Sequence, residues 1–449
     1  MADDTIAALS TPAGESAIAA IRLSGGMCLS LARGCFGKTD IAPRRSIRAD
    51  YVSKSGSVLD DALFVFYKAP HSYTGEDMLE IYTHGNPYII QTILEDLFSR
   101  GARAAAHGEF TRRAFESGRL DLSQAEAVAL MISARSEKSL AAARKQLGGE
   151  LSKRINSMCD TLVEALAYME AYIDFSDEDL PPESFAKPRE LLLNFIKGAE
   201  KLASTSRYGA VLRDGLNVAI LGEPNVGKSS LMNSMLGRDR AIVSPAAGTT
   251  RDFIVERANI GGYCVNLTDT AGLRNSADEI ESEGIRRALE IAKDSDLKLV
   301  VLDLSEDSSG VEELLKGIVS PGDTIIVLNK ADKPRALQEG VFGGFEKVGV
   351  SCLKDEGVGE LKKRIAGFIE KNSITSSFDD ILVSARHSSL VADAIGFAKE
   401  ACGKIEKSAP SELVASDVRA ALESLGEIVG RGDREEVLDK IFSTFCIGK

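Results

Sequence analysis

Gly222-Glu223-Pro224-Asn225-Val226-Gly227-Lys228-Ser229 has the spacing G-x-x-x-x-G-K-S, between the apolar run Leu216 to Leu221 and the helix-forming Ser230-Leu231-Met232-Asn233-Ser234-Met235-Leu236. Strand, glycine loop and helix, in that order, are the setting in which this spacing cradles phosphate. Glycine at 222 and 227 admits backbone angles closed to other residues, so consecutive N–H groups and the helix N-terminus converge on phosphate oxygens. Lys228 is then placed to reach the outer phosphates and Ser229 to hold Mg²⁺ through its hydroxyl. Chance produces such a match in roughly a few per cent of chains this long, so the motif alone does not settle the fold.

Three further signals follow in order. Asp269-Thr270-Ala271-Gly272 ends the strand-like Tyr263-Cys264-Val265-Asn266-Leu267-Thr268; an acid there binds Mg²⁺ through water, and a glycine amide senses the γ-phosphate. Asn329-Lys330-Ala331-Asp332 follows the apolar run Thr324-Ile325-Ile326-Val327-Leu328. A carboxylate at Asp332 accepts two N–H donors from guanine, while adenine leaves it unsatisfied, so this loop selects GTP over ATP. Asn329 braces the loops and the Lys330 stem lies along the base. Gly248-Thr249-Thr250 stands between the phosphate loop and the second strand, where Thr250 closes on Mg²⁺ only with the γ-phosphate present, as a switch loop does. The four together indicate an α/β, P-loop (Ras-like) GTP-binding domain.

With 449 residues the chain has room for three domains. Apolar residues make up 44 per cent and prolines number only 12, which indicates packed structure throughout. No apolar run is long enough to span a membrane. The start, Met1-Ala2-Asp3-Asp4-Thr5, has neither the basic and apolar parts of a secretory signal nor the arginines of a transit peptide, so a cytoplasmic location is expected. Seven cysteines, at 28, 35, 159, 264, 352, 402 and 446, are scattered without a C-x-x-C, and histidines number four. That pattern fits reduced thiols and argues against zinc. Cys446-Ile447-Gly448-Lys449 ends the chain but is a poor prenylation signal. Sixty-seven acids against 54 bases give −13, which opposes broad non-specific attraction to nucleic acid. Any RNA contact is therefore local or supplied by a partner.

Residues 1–117 read as mixed α/β, with strand-like runs at Thr5 to Leu9, Ala17 to Leu23, Ala62 to Tyr67 and Met78 to Tyr82, and a turn at Ser55-Gly56. Asn86 and Pro87 open a helix carrying Ile89, Ile90, Ile93, Leu94 and Leu97, stopped by Gly101. These residues leave the region's ligand open. Residues 118–211 turn helical: Ser123-Gln124-Ala125-Glu126 reads as a capping box opening a helix to about Leu147, Gly148-Gly149 interrupts, and two more helices follow. The nucleotide domain spans 212–371. Helical periodicity resumes over 372–449, at Asp380 to Ser408, Glu412 to Ile428 and Asp433 to Phe445. The simplest topology inserts the nucleotide domain into a helical domain formed by the segments either side of it.

Outside the nucleotide motifs, Thr74-Gly75-Glu76-Asp77-Met78-Leu79-Glu80, Gly108-Glu109-Phe110-Thr111-Arg112-Arg113-Ala114-Phe115, Leu120-Asp121-Leu122-Ser123-Gln124-Ala125-Glu126-Ala127 and the terminal Phe445-Cys446-Ile447-Gly448-Lys449 carry a resemblance over the whole chain. The chain resembles the MnmE/TrmE family of tRNA-modifying GTPases, in the translation-factor-like branch of GTPases. The resemblance implies a folate-binding-like α+β N-terminal domain, a discontinuous helical domain and an inserted GTPase domain. It further implies a homodimer acting with a flavin-dependent partner subunit of the MnmG/GidA type, in a heterotetramer or larger complex. That assembly adds an aminomethyl or carboxymethylaminomethyl group to C5 of the tRNA wobble uridine, with a one-carbon unit from 5-formyl- or methylene-tetrahydrofolate.

The same resemblance implies residue roles. Leu273 stands where many small GTPases carry a water-orienting glutamine. The acidic Asp278-Glu279-Ile280-Glu281 offers substitutes, and the resemblance selects Glu281. No internal arginine finger is evident; Arg251 and Arg274 are unplaced. The family meets this with K⁺, for which Asn225 is the matching side chain and Ser244, Ala246 and Thr249 the carbonyl donors. The GTP contacts implied are Asn225, Val226, Gly227, Lys228, Ser229 and Ser230; Ser244, Pro245, Ala246, Ala247, Gly248, Thr249 and Thr250; Asp269, Thr270, Ala271 and Gly272; Asn329, Lys330, Ala331 and Asp332; and Ser351, Cys352 and Leu353. The last three depart from the usual Ser-Ala-Lys. Folate contacts fall on Arg22, Glu80, Arg119 and Lys449, with Arg119 where lysine is commoner. Cys446 is either packed or chemically active, and His84 reads as structural. Two other functions compete: an Era-type assembly switch, and a non-enzymatic folate-binding scaffold.

Overall fold

A computed structural model describes residues 4–174, 185–237, 255–269, 289–306, 311–312, 315–337, 341–372, 383–432 and 435–449. They fall into two compact units, Met1–Ala129 with Leu147–Cys159 and Leu422–Lys449, and Leu130–Gln146 with Asp160–Ala421.

The first unit is built on strands β1 (Ile6–Leu9), β2 (Ser16–Ser24), β3 (Ser46–Val52), β4 (Val58–Tyr67), β5 (Met78–Gly85) and β6 (Arg103–Ala104), in spatial order β3-β4-β5-β2-β1-β6. Pairing is antiparallel except between β1 and β6. Alternate residues point to opposite faces. On one face Ile21, Leu23, Phe64, Phe66, Leu79 and Ile81 are buried against helices Cys28–Phe36 and Pro87–Ser99. The opposite face carries Arg22, Leu63, Tyr67, Glu80 and Tyr82. Helix Glu109–Glu116 covers one end of that face, where Phe110 packs with Ile6, Ala8, Met78 and Ala105.

The four strand runs and the Asn86-capped helix lie where the sequence puts them, and Asn86 accepts from the N–H groups of Tyr88 (2.8 Å) and Ile89 (3.3 Å). The Ser55-Gly56 turn joins β3 to β4. β3 itself is less legible, because its alternating Ser46-Ile47-Arg48-Ala49-Asp50 is mostly polar.

The expected helix from Ser123 to Leu147 needs correction. It is two helices, Leu122–Ser133 and Glu137–Leu147. The cap is Asp121, whose carboxylate accepts from Gln124 N–H (2.9 Å) while Gln124 Oε1 accepts from Asp121 N–H (3.0 Å). Ser123 is buried and its hydroxyl meets Asp121 and Ser152, each at 2.8 Å. Ser136 restarts the chain by accepting from Ser139 N–H (3.2 Å). Read two residues late, a box of the same chemistry looks like serine and glutamate.

The second unit holds β7 (Leu216–Leu221), β8 (Val255–Ile260), β9 (Tyr263–Asp269), β10 (Leu297–Asp303), β11 (Thr324–Asn329) and β12 (Glu346–Gly349), ordered β12-β11-β10-β7-β9-β8. Only β8 runs antiparallel to its neighbour. A parallel sheet needs both faces covered, and both are: Val218, Ile220, Leu299 and Val301 enter one core, Ala219, Leu221, Val300 and Leu302 the other. That explains why β10 is buried at every position. This is the α/β fold expected. Helices Ala186–Ala203 and Ala385–Glu406 pack together, and Ser206–Asp214, a helix not foreseen, leads into β7.

Candidate functional site

The carboxyl ends of β7, β9, β10 and β11 converge, the usual position for a ligand in a parallel sheet. β7 leads into the glycine loop, and helix Lys228–Leu236 begins at once, with Gly227 (φ 95°) as its N-cap. Glycine is required at both loop positions. A Cβ on Gly222 (φ 142°) would lie 2.3 Å from Val301 O, and one on Gly227 would lie 2.3 Å from Asn329 Nδ2. Asn225 also takes a left-handed backbone, φ 64°. The buried Lys228 ammonium donates to the carbonyls of Gly222 (2.8 Å) and Glu223 (2.7 Å), so it is held over the loop. Ser229 Oγ donates to Asp269 Oδ2 at 2.7 Å, which unites a hydroxyl and a carboxylate, the oxygen chemistry Mg²⁺ prefers.

The base side is tied to the phosphate side by side chains. Asn329, 2 % exposed, donates through Nδ2 to Val226 O (2.8 Å) and accepts at Oδ1 from the Cys352 thiol (3.4 Å). Lys330 donates to Asn225 O (3.1 Å) and to Asp303 Oδ2 (2.5 Å). Ser351 donates to Asp332 Oδ1 (2.6 Å), and that bond holds the Asp332 carboxyl below its ordinary range. Ala331 N–H reaches Val350 O (3.1 Å). Leu353 is 86 % exposed.

Asp303 was missed from sequence. Burial raises its pKa, but the Lys330 ammonium and the N–H and hydroxyl of Ser305 outweigh that and lower it. The available signal was an apolar strand, Leu297 to Leu302, ending in a lone acid beside the nucleotide loops.

The structure thus brings together Asn225, Val226, Gly227, Lys228, Ser229, Asp269, Asn329, Lys330, Ala331, Asp332, Ser351 and Cys352. Ser244, Pro245, Ala246, Ala247, Gly248, Thr249, Thr250, Thr270, Ala271, Gly272 and Glu281 lie outside the described residues.

The first unit has a second polar centre. β2 and β5 pair Arg22 opposite Glu80, and Arg22 donates to Glu80 Oε1 through Nε (3.0 Å) and Nη2 (2.8 Å). Glu80 Oε2 accepts from the hydroxyls of Tyr82 (2.7 Å) and Tyr67 (3.3 Å). The Arg22 guanidinium lies 5.6 Å from the Tyr73 ring and 5.9 Å from Phe110.

The chain's end comes to this centre. Phe442 and Phe445 pack with Leu122 and Ala125, His107 meets Phe445 O (2.8 Å) and pairs with Ile447, and Ser10 donates to Gly448 O (3.1 Å). Gly448 (φ 92°) is obligatory, since a Cβ would lie 2.2 Å from Leu9 O. Lys449 has its pKa lowered by burial and by the nearby charge of Arg22. Arg119 is exposed and packs its stem near Gly75, and no bond joins it to the Arg22–Glu80 pair. Cys446 is exposed, while His84 makes two bonds to Asp60, at 2.7 and 2.8 Å, a structural tie. Among the described residues there is no group of three or more His, Cys, Asp or Glu side chains placed to hold a metal ion and no helix long and apolar enough to cross a membrane.

Two family models match: the MnmE helical domain over residues 122–446, and the N-terminus of the GTP-binding protein TrmE over residues 5–119. The tRNA modification GTPase MnmE of Opitutus terrae is 47 % identical over 452 residues, covering 100 % of this chain and 99 % of the relative. That of Aquifex aeolicus is 43 % identical, covering 99 % and 100 %. Among solved structures, the G domain of the T. maritima FeoB iron transporter matches 34 % of this chain and 98 % of its own at 26 % identity, with a TM-score of 0.27. The fold rests on the strand order above, not on that score.

Proposed function

The chain belongs to the tRNA modification GTPase MnmE family, and from that premise we propose that it hydrolyses GTP to drive modification of tRNA. One observation supports this most: three loops from separate strands are bonded into one cradle, with Lys228, Ser229 and Asp269 on the phosphate side and Asn329 and Asp332 on the base side. Ser229 and Thr250 would hold Mg²⁺, which when bound would supply charge neutralisation on the β- and γ-phosphates. Asp332 would read guanine, and Cys352 and Leu353 would offer N–H groups to its carbonyl oxygen, while Ser351, whose own N–H is taken by Glu356 O (2.9 Å), braces Asp332 through its hydroxyl. Glu281 orients the attacking water. Asn225 and the carbonyls of Ser244, Ala246 and Thr249 would hold K⁺, which would supply the positive charge of an arginine finger. Such a cation is worth about 10³ to 10⁵ in rate.

The Arg22–Glu80 centre is the binding site for 5-formyl- or methylene-tetrahydrofolate. A carboxylate with fixed orientation matches the amino and ring N–H donors of a pterin, and Arg22, Lys449 and Arg119 attract the ligand's carboxylates. The same sheet face leaves Ile18 62 % and Leu63 43 % exposed, which supports a homodimer formed through the N-terminal domain. A flavin-dependent partner of the MnmG/GidA type completes the addition of an aminomethyl or carboxymethylaminomethyl group to C5 of the wobble uridine. The working division is 1–117, 118–211, 212–371 and 372–449, and the setting is the cytoplasm.

GTP turnover in K⁺ against Na⁺ tests the reading. Turnover should rise at least about tenfold in K⁺, and Glu281→Ala should keep GTP affinity while losing most hydrolysis and tRNA modification. Equal rates in both salts favour an Era-type switch; no turnover at all leaves a folate-binding scaffold.

A further inference from the structure

Beside the Arg22–Glu80 centre, the start of β3 and the end of β4 carry a small basic rim. Arg44 is fixed there in an uncommon way: its backbone is left-handed, φ 61°, its N–H donates to Phe66 O (2.8 Å), and its guanidinium donates to His71 O (3.1 Å). A non-glycine residue held in that backbone region is under strain that the surroundings must compensate. Here the compensation fixes a cation, and Tyr67, which bonds Glu80, feels the charges of both Arg22 and Arg44. Arg45 and Lys68 are exposed on the same two segments. None of these three cations makes an ion pair among the described residues. Of the acids near in sequence, Asp77 accepts from Ala69 N–H (2.8 Å), Asp61 pairs with Arg48, and Asp40 is exposed. In a chain of charge −13, three unpaired cations leading away from a carboxylate-binding centre form a path for a short polyanion.

We propose that Arg44, Arg45 and Lys68 bind the oligo-γ-glutamate tail of the folate, so that the substrate class is polyglutamylated tetrahydrofolate. This rests on the folate reading of the Arg22–Glu80 centre. The tail carries one carboxylate per added glutamate, and guanidinium and ammonium groups recognise such carboxylates by charge-assisted bonds. A rim of three cations suits a few carboxylates. RNA binding by charge alone requires many more phosphate contacts, each adding to the salt dependence.

The test titrates the full chain with 5-formyltetrahydrofolate bearing one glutamate and with its pentaglutamate. The pentaglutamate should bind about tenfold tighter in low salt, an advantage of about 1.4 kcal/mol, and most of it should vanish at high ionic strength. In Arg44→Gln with Lys68→Gln the affinity ratio should fall close to one. Arg45→Gln with Lys68→Gln, which leaves the Arg44–His71 bond intact, should reduce the ratio part of the way and guards against misfolding. Equal affinity for both ligands in the unaltered protein overturns the tail proposal while the folate reading stands. Binding of neither overturns both. A ratio untouched by either pair of substitutions, with tRNA affinity falling instead, overturns the tail proposal and assigns the rim to RNA.

Discussion

The two polar centres are built on opposite principles. In the nucleotide cradle, consecutive residues do most of the work: one loop, 222–229, supplies its glycines, its lysine and its serine, and even the cross-loop bonds from Asn329 and Lys330 end on backbone carbonyls of that loop. In the Arg22–Glu80 centre no two adjacent residues contribute. Positions 22, 67, 73, 80, 82, 110 and 449 meet only because a mixed sheet sets β2, β4 and β5 side by side and the chain's end returns to β1. A backbone-made site tolerates no added Cβ but accepts many side chains at its x positions. A side-chain-made site depends on register, and a shift of one residue reverses every contact.

The sharpest way to break this comparison is Gly227→Val. Its Cβ would meet Asn329 Nδ2 at 2.3 Å, at a φ of 95° that β-branched residues avoid. GTP affinity should fall by at least about 10³-fold, about 4.1 kcal/mol, in a nucleotide-fluorescence titration, while tetrahydrofolate binding by the first unit persists. Loss of both ligands together would mean that the two centres do not stand on separate supports.

That difference also governs how much the sequence reveals. The cradle was legible because its chemistry sits at fixed spacing after apolar strands, and Val218, Val301 and Val327 place those strands in the core. Asp303 escaped notice because its role appears only once parallel pairing sets it opposite Asn329. The second centre was reachable by resemblance alone: Arg22 and Glu80 read locally as ordinary charges on alternating strands, and nothing near them announces Tyr67, Tyr73 or Tyr82. The Asp121 cap shows the same limit on a smaller scale, since Asp121, Ser123, Gln124 and Glu126 allow two boxes two residues apart, and burial of Ser123 decides between them.

Gly448→Val sharpens the comparison with a smaller effect. Its Cβ would lie 2.2 Å from Leu9 O, and relieving that collision would displace Lys449 from the neighbourhood of Arg22. Affinity for 5-formyltetrahydrofolate should drop about tenfold, about 1.4 kcal/mol, by calorimetry, with GTP turnover as the internal reference. An unchanged affinity would remove the chain's end from the binding site and leave Arg22 and Glu80 to act alone.

The smallest effect comes from a charged side-chain pair within the cradle, Asp303 with Lys330. Asp303 is 1 % exposed and its folded pKa is lowered from 3.8, with burial opposing and Lys330 and Ser305 prevailing. A carboxyl depressed on folding adds stability that is complete above the unfolded pKa and is lost as pH falls through the folded one. The contribution of Asp303 is therefore whole at neutral pH and disappears in acid, below about pH 4. Asp303→Asn keeps an acceptor for Ser305 and Lys330 but removes the charge, at a cost of about 1 kcal/mol. Urea midpoints followed from about pH 7 down to about pH 3 should show the unaltered protein ahead at the neutral end and the two proteins converging at the acid end. A gap that stayed constant across that range would mean packing, not the Asp303–Lys330 charge pair, holds the 329–332 loop to the end of β10.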